Sequence, residues 1–233
     1  MCLMVKADPF IGILMLNTKF PRLVGDIGHP DTFPFPIKRL MIDEANSRNV
    51  VIDGEVGLAD AFCRGARRLE EEGACAIATS CGFLACFQKE LAQSVSIPVG
   101  ASALLLVPLI AQLFGNEKKI GVLTARKSSM SDRQLLACGV DRRAIALEGM
   151  EDTEFYRVYV ENKAEVDKAR LSSEILERGM NLVARDGGVG AILLECTNMP
   201  PFAGRLRSSA GVPVFDVRDL VWALHRATCG YKE

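Results

Sequence analysis

An α/β fold of two pseudo-symmetric lobes, each a mostly parallel sheet flanked by helices, is predicted by three features of this chain. One stretch occurs twice. Gly73 to Val99 reads GACAIATSCGFLACFQKELAQSVSIPV and Gly188 to Val214 reads GVGAILLECTNMPPFAGRLRSSAGVPV. Laid over each other without a gap they share Gly73/Gly188, Ala76/Ala191, Ile77/Ile192, Cys81/Cys196, Phe87/Phe202, Leu91/Leu206, Ser94/Ser209, Pro98/Pro213 and Val99/Val214. Each copy reads as a buried strand, a polar turn with a cysteine, a helix and the Pro-Val start of another strand. Around the two copies, strand-like and helix-like segments alternate, as in βα units. The first lobe is expected to hold residues 1–101 plus 215–233, the second 102–214, with the active site in the cleft between them.

Taken in order, Ile11 to Leu16 (IGILML) is a continuous apolar run suited to a parallel strand covered on both faces. Asn17 and Thr18 stand at its tip. Residues 19–36, with prolines at 21, 30, 34 and 36, predict a long loop with Phe20, Phe33 and Phe35, of the kind that covers a pocket. His29 in this loop is placed near the cleft. Ile37 to Ile52 reads as strand, turn and strand. Asp53-Gly54-Glu55 is expected to open a helix running to Glu72, with Leu58, Phe62 and Leu69 on one face and Arg64, Arg67, Arg68, Glu71 and Glu72 on the other.

After the first cysteine unit, Ala101 to Phe114 predicts an apolar helix interrupted by Pro108 and ended by Gly115-Asn116. Its Leu104 to Leu113 stretch is assigned to a subunit contact, hence a homodimer. Lys119 to Thr124 is a buried strand whose Gly121-Val122-Leu123 matches Gly12-Ile13-Leu14. Ser128 is expected to cap a helix to Cys138, and Ala144 to Leu147 is a short strand. Phe155 to Tyr159 is ambiguous. Ala164 to Arg185 predicts an amphipathic helix stopped by Gly187-Gly188. Arg218 to Thr228 closes the chain as a helix, with His225 structural.

Composition narrows the function. The formal charge is −1 with Lys and Arg scattered, so neither nucleic acid nor a membrane surface is an expected partner. The longest apolar run falls short of the roughly 20 residues a membrane span needs. Its N-terminal stretch carries no small-residue cleavage site, which places the protein in the cytoplasm as an expectation. Eight cysteines then read as reduced thiols; with two histidines and no CxxC, no metal is expected.

The chemistry lies in the matched thiols Cys81 and Cys196. A cysteine at a strand tip before a helix meets backbone N–H groups and the positive helix end, both of which favour thiolate. Neither turn carries a histidine, so a Cys-His hydrolase is poorly supported. Two cysteines facing each other can instead take a proton from one face of a carbon and deliver one to the other. The carboxylate of such a carbon acid needs donors, which Thr79, Ser80, Gly82, Thr197 and Asn198 offer beside the thiols. Cys75 and Cys86 have no cysteine counterpart in the second copy and read as structural. Glu195 would raise the pKa of its neighbour Cys196, and Arg126 is a candidate partner for a substrate carboxylate.

The TSCG turn, the ECTNMP turn and the duplicated lobes resemble the aspartate/glutamate racemase superfamily, which also holds hydantoin and allantoin racemases, maleate isomerases and arylmalonate decarboxylases. The resemblance implies an isomerase free of metal and pyridoxal, with Cys81 and Cys196 as the acid/base pair. It implies a small carboxylate substrate bound by Asn17, Thr18, Thr79, Gly82, Thr124, Thr197 and Asn198, to which Ser80 is added from the first turn. Asn17-Thr18 replaces the Asp-Ser pair of glutamate racemases, and no histidine follows the second cysteine, which points away from glutamate itself. The leading expectation is a racemase or epimerase of a small amino acid or hydantoin-like acid. The alternatives are a maleate-type cis–trans isomerase or decarboxylase, and a non-catalytic binder of small acids.

Overall fold

The computed structural model describes residues 9–54, 56–115, 117–185 and 188–230. Cys2, Glu55, Asn116 and Gly187 lie outside the described residues. Two four-stranded parallel sheets flanked by helices form two lobes. In the first, β1 (Phe10–Leu16), β2 (Ile37–Ile42), β3 (Ala74–Thr79) and β4 (Val99–Gly100) run in the order β2-β1-β3-β4. In the second, β5 (Ile120–Thr124), β6 (Ile145–Gly149), β7 (Ala191–Leu194) and β8 (Val214–Asp216) run as β6-β5-β7-β8.

The repeat is conserved down to single hydrogen bonds. Gly12 pairs with Ile77 across β1 and β3, and Gly121 pairs with Ile192 across β5 and β7. Ser80 N–H donates to Leu14 O, and its counterpart Glu195 N–H donates to Leu123 O, both at 2.9 Å. Leu84 N–H closes the first turn onto Cys81 O, and Met199 N–H closes the second onto Cys196 O. The central strands are buried along their whole length, which fits their unbroken apolar sequences. Gly12 lets β1 approach α1 (Ala59–Glu71), where an added Cβ would collide with Leu69 at 2.8 Å.

Helix α1 buries Phe62, Cys63, Ala66 and Leu69 and exposes its arginines, as its periodicity predicts. In each repeat the cysteine turn leads into a short 3-10 segment before the helix proper, α2 (Gln88–Ser94) in one and α7 (Ala203–Ala210) in the other. The closing helix α8 (Val217–Thr228) returns to the first sheet, where Leu220 and Leu224 lie against the α-carbon of Gly100.

Several expected elements differ. The second strand assigned within 37–52 is a widened helical turn, Arg48–Ile52. Asn46 accepts from Arg48 N–H and Asn49 N–H, and these local bonds override the strand preference of Val50-Val51-Ile52. The apolar run after Gly100 starts as a 3-10 turn capped by Ser102, and α3 (Val107–Leu113) begins with Pro108 in its first turn, where a missing N–H costs nothing. One side of α3 is buried, while Leu109 and Leu113 are exposed. Ser128 does not cap a helix: α4 (Asp132–Ala137) is capped by Ser131, whose N–H donates to Gln134, a capping box legible in Ser-Asp-Arg-Gln. The ambiguous Phe155 to Tyr159 segment is α5 (Glu154–Tyr159). The long amphipathic helix is α6 (Lys168–Val183), shorter than expected because Asp167 caps it through Ala169 N–H and Arg170 N–H. Among the described residues no helix is long and apolar enough to cross a membrane.

Candidate active site

The turns after β3 and β7 bring Cys81 and Cys196 to the wall of one cavity. Cys81 is buried and Cys196 is half-buried. Thr18, Ser80, Gly82, Thr197 and Asn198 share this wall with the thiols. Of the expected substrate-binding residues, Thr79, Thr124 and Asn17 do not. The Thr79 hydroxyl donates to Ala101 O at 2.7 Å and to Cys81 O at 3.1 Å, and so shapes the turn from behind. The Thr124 hydroxyl donates to Glu195 Oε2 at 2.7 Å. Asn17 is exposed; among the described residues only its backbone is engaged, with N–H donating to Ala45 O. The hydroxyls of Ser80 and Thr197 are committed too, the first accepting from Leu16 N–H and the second donating to Ser80 O.

The loop after β1 supplies what the motifs did not reveal. Phe20 and Arg22 line the cavity, with the guanidinium over the Phe20 ring at 5.0 Å. Arg22 donates to Thr18 Oγ1 at 3.1 Å and to Asp26 Oδ1 at 2.7 Å. Asp26, completely buried, also accepts from the Asn198 side-chain amide. Asn198 Oδ1 in turn accepts from the Cys196 thiol at 3.6 Å. A continuous polar chain therefore runs from the loop to the second thiol. Of the other loop aromatics, Phe35 stacks on His225 and meets Trp222, away from the cavity. His29 Nδ1 accepts from Asp31 N–H and does not line the cavity. Arg126 is also absent from its lining.

Two buried polar atoms on this wall have no hydrogen-bond partner among the described residues: Glu195 Oε1 and the Tyr159 hydroxyl. Glu195 is fully buried, and burial pushes its carboxyl up to about 7 against the opposing bond from Thr124. Its Oε1 lies against Gly82, the one residue type that leaves it room: an added Cβ would fall well inside contact distance of the carboxylate. Tyr159, on α5, packs edge-on to Phe20 at 4.9 Å, and burial holds its hydroxyl protonated. Only its ring type, in a segment without clear periodicity, could have marked it.

The expectation that the strand-tip position favours thiolate is overturned. Burial pushes Cys81 up to about 12, with the Glu195 charge acting in the same direction. Cys196 is raised by the same two causes in the same order. The expected backbone donors are present, from Phe83 and Leu84 to Cys81 and from Asn198 to Cys196, but they lower the thiols less than burial and Glu195 raise them. Among the described residues no group of three or more His, Cys, Asp or Glu side chains is disposed to hold a metal ion.

Comparison with known proteins agrees with this architecture. A family model described as Asp/Glu/Hydantoin racemase matches residues 45–224. A dimethylsulfoniopropionate lyase from Durusdinium sp. clade D is 30% identical over 217 residues, covering 88% of this chain and 70% of that one. Dimethylsulfoniopropionate lyase 6 from Emiliania huxleyi (strain CCMP1516) is 30% identical over 229 residues, covering 92% of this chain but 58% of the relative's length. A double mutant of arylmalonate decarboxylase in its liganded form superimposes with a TM-score of 0.61 at 17% identity, covering 97% of this chain and 94% of that one.

Proposed function

We propose that this chain, which belongs to the Asp/Glu/hydantoin racemase family, removes a proton from the carbon next to a small carboxylate with one of its two thiols. We further infer that its reaction is a β-elimination of a sulfonium acid, with dimethylsulfoniopropionate as the first substrate to test. The observation behind this reading is a single cavity that holds both thiols, an unpartnered acceptor at Glu195 and an unpartnered donor at Tyr159. Such a wall suits a small acid that also bears a positive charge. The names of the relatives favour elimination over inversion.

In this reading the substrate carboxylate meets the Tyr159 hydroxyl and the Arg22 guanidinium, which stabilise the enolate-like charge as the α-proton leaves. A thiolate takes that proton. The carbanion electron pair forms the Cα–Cβ double bond while the Cβ–S bond breaks and its electrons stay on sulfur. Neutral dimethyl sulfide departs, acrylate remains, and the thiol returns its proton to solvent. Leu16, Phe20, Val51 and Phe83 exclude water around the reacting carbon. The chemistry calls on side chains alone, and its free thiols suit a reducing compartment such as the cytoplasm.

The test is headspace gas chromatography of purified protein incubated with dimethylsulfoniopropionate, with acrylate measured in the same vials. Equimolar release of both supports elimination; no release by folded protein rejects it. Racemisation is the second reading, favoured by the register of Cys81 with Cys196. It is scored by loss of the α-proton signal in D2O with L- and D-aspartate, L- and D-glutamate and 5-substituted hydantoins.

A further inference from the structure

We propose that Glu195 is the counter-ion for a positively charged centre of the substrate, and that it makes the cavity select zwitterionic acids over plain acids of the same shape. This deepens the reading above and rests on the cavity taking a small acid. Glu195 lines the cavity, with one oxygen tied to Thr124 and the other, Oε1, buried against Gly82 and unpartnered among the described residues. A buried carboxylate without a partner is costly, and a cation against Oε1 removes that cost.

The two halves of the cavity differ at this position. In the repeat, the counterpart of Glu195 is Ser80, whose hydroxyl already accepts from Leu16 N–H. One side of a pseudo-symmetric pocket thus carries an acid and the other does not. Gly82 leaves space for Oε1, and the rings of Phe20, Phe83 and Tyr159 on the same wall suit a methylated cation. The remaining charged group on the wall, Arg22, is the natural partner for the other end of a zwitterion, so the two ends are told apart.

The assignment also explains why an anion stands beside thiols that must ionise. Glu195 opposes ionisation of both cysteines while the cavity holds no cation. A substrate cation against it cancels that part of the opposition, leaving burial as the remaining cause.

The experiment is isothermal titration calorimetry with 3-(trimethylammonio)propanoate and its carbon isostere 4,4-dimethylpentanoate, which keeps the carboxylate and lacks the cation, on wild type, Glu195→Gln and Glu195→Asp. Wild type is expected to bind the onium acid at least about tenfold more tightly, as for a charge-assisted contact. In Glu195→Gln the ratio is expected to collapse toward one with isostere affinity retained, and in Glu195→Asp to survive in part. Equal binding of the two ligands by wild type, no binding of the onium acid, or an unchanged ratio in Glu195→Gln each overturns the assignment; the first two need no variant to fold. Dimethyl sulfide release is scored separately. Release with an unchanged ratio in Glu195→Gln rejects the counter-ion alone, and a Glu195-dependent ratio without release rejects the lyase reading alone.

Discussion

Asp26 and Asn198, 172 residues apart in the chain, share a buried hydrogen bond that fastens the loop after the first strand to the turn of the second cysteine. Asp26 also holds Arg22, whose side chain is 14% exposed. Asp26→Ala would leave a largely buried guanidinium without its counter-ion and the Asn198 amide unpartnered, a loss of about 3 kcal/mol. Urea denaturation is expected to show that loss, together with a raised KM because Arg22 and Phe20 no longer stand in place. A change below about 0.5 kcal/mol would mean that the loop is held by something else.

Gly82→Ala tests the packing of Glu195. The new Cβ would meet Glu195 Oε1 and lie 2.7 Å from Glu195 O, so carboxylate and turn must move. Displacing a catalytic wall by such a distance typically costs about 100-fold in kcat/KM. Circular dichroism should remain native while activity falls. The double variant Gly82→Ala/Glu195→Ala should recover part of the stability lost by Gly82→Ala, which a double-mutant cycle reads directly. Additive effects would separate the two residues.

The Glu195 carboxyl, raised by burial from its ordinary 4.5 to about 7, links stability to pH. A carboxyl whose pKa is higher folded than unfolded contributes stability that is complete below about 4.5 and is lost as pH rises through about 7. Glu195→Gln is neutral at every pH and keeps an acceptor for Thr124. It should therefore match wild type near pH 4.5 and exceed it at pH 8 by up to about 3 kcal/mol. Urea melts at the two pH values check this, and an advantage that does not grow with pH would contradict it.

Both thiols rest protonated for the same pair of reasons, burial and then Glu195. Alkylation of Cys81 and Cys196 by iodoacetamide, followed by peptide mass spectrometry, should rise about tenfold per pH unit from pH 7 to 9 without a plateau. Glu195→Gln should react faster at each pH because one cause of the shift is gone. A plateau below pH 9 would show that one thiol ionises in the resting protein.

The lobes and the cysteine pair were legible in the sequence because the duplication preserves both apolar strands and turn chemistry. Gly12 and Gly121, or Ser80 and Glu195, occupy the same backbone positions in two copies. What the motifs hid lies where the copies diverge. Arg22, Asp26 and Tyr159 belong to a loop and a short helix without a periodic signature; Arg22 and Tyr159 line the cavity, and Asp26 holds Arg22 and Asn198 in place. The apparent strand at Val50-Val51-Ile52 was lost to two asparagine bonds that local apolar pattern does not encode. The expected thiolates failed because burial outweighed the backbone donors, and burial is a property of the assembled lobes.

Single-cysteine variants separate the two chemistries the cavity suits. Inversion of a stereocentre requires a base on one face and an acid on the other, so Cys81→Ser and Cys196→Ser should each abolish it. Elimination requires one proton transfer. Cys196 is half-buried where Cys81 is buried, and its thiol is oriented by Asn198 Oδ1 at 3.6 Å, so the elimination proposed above would use it as the base. Cys196→Ser should lower dimethyl sulfide release by about 1,000-fold or more, and Cys81→Ser by about tenfold through altered packing. Equal and complete loss in both variants would mean that the two thiols act as a pair in elimination as well. The reverse ranking would move the base to Cys81.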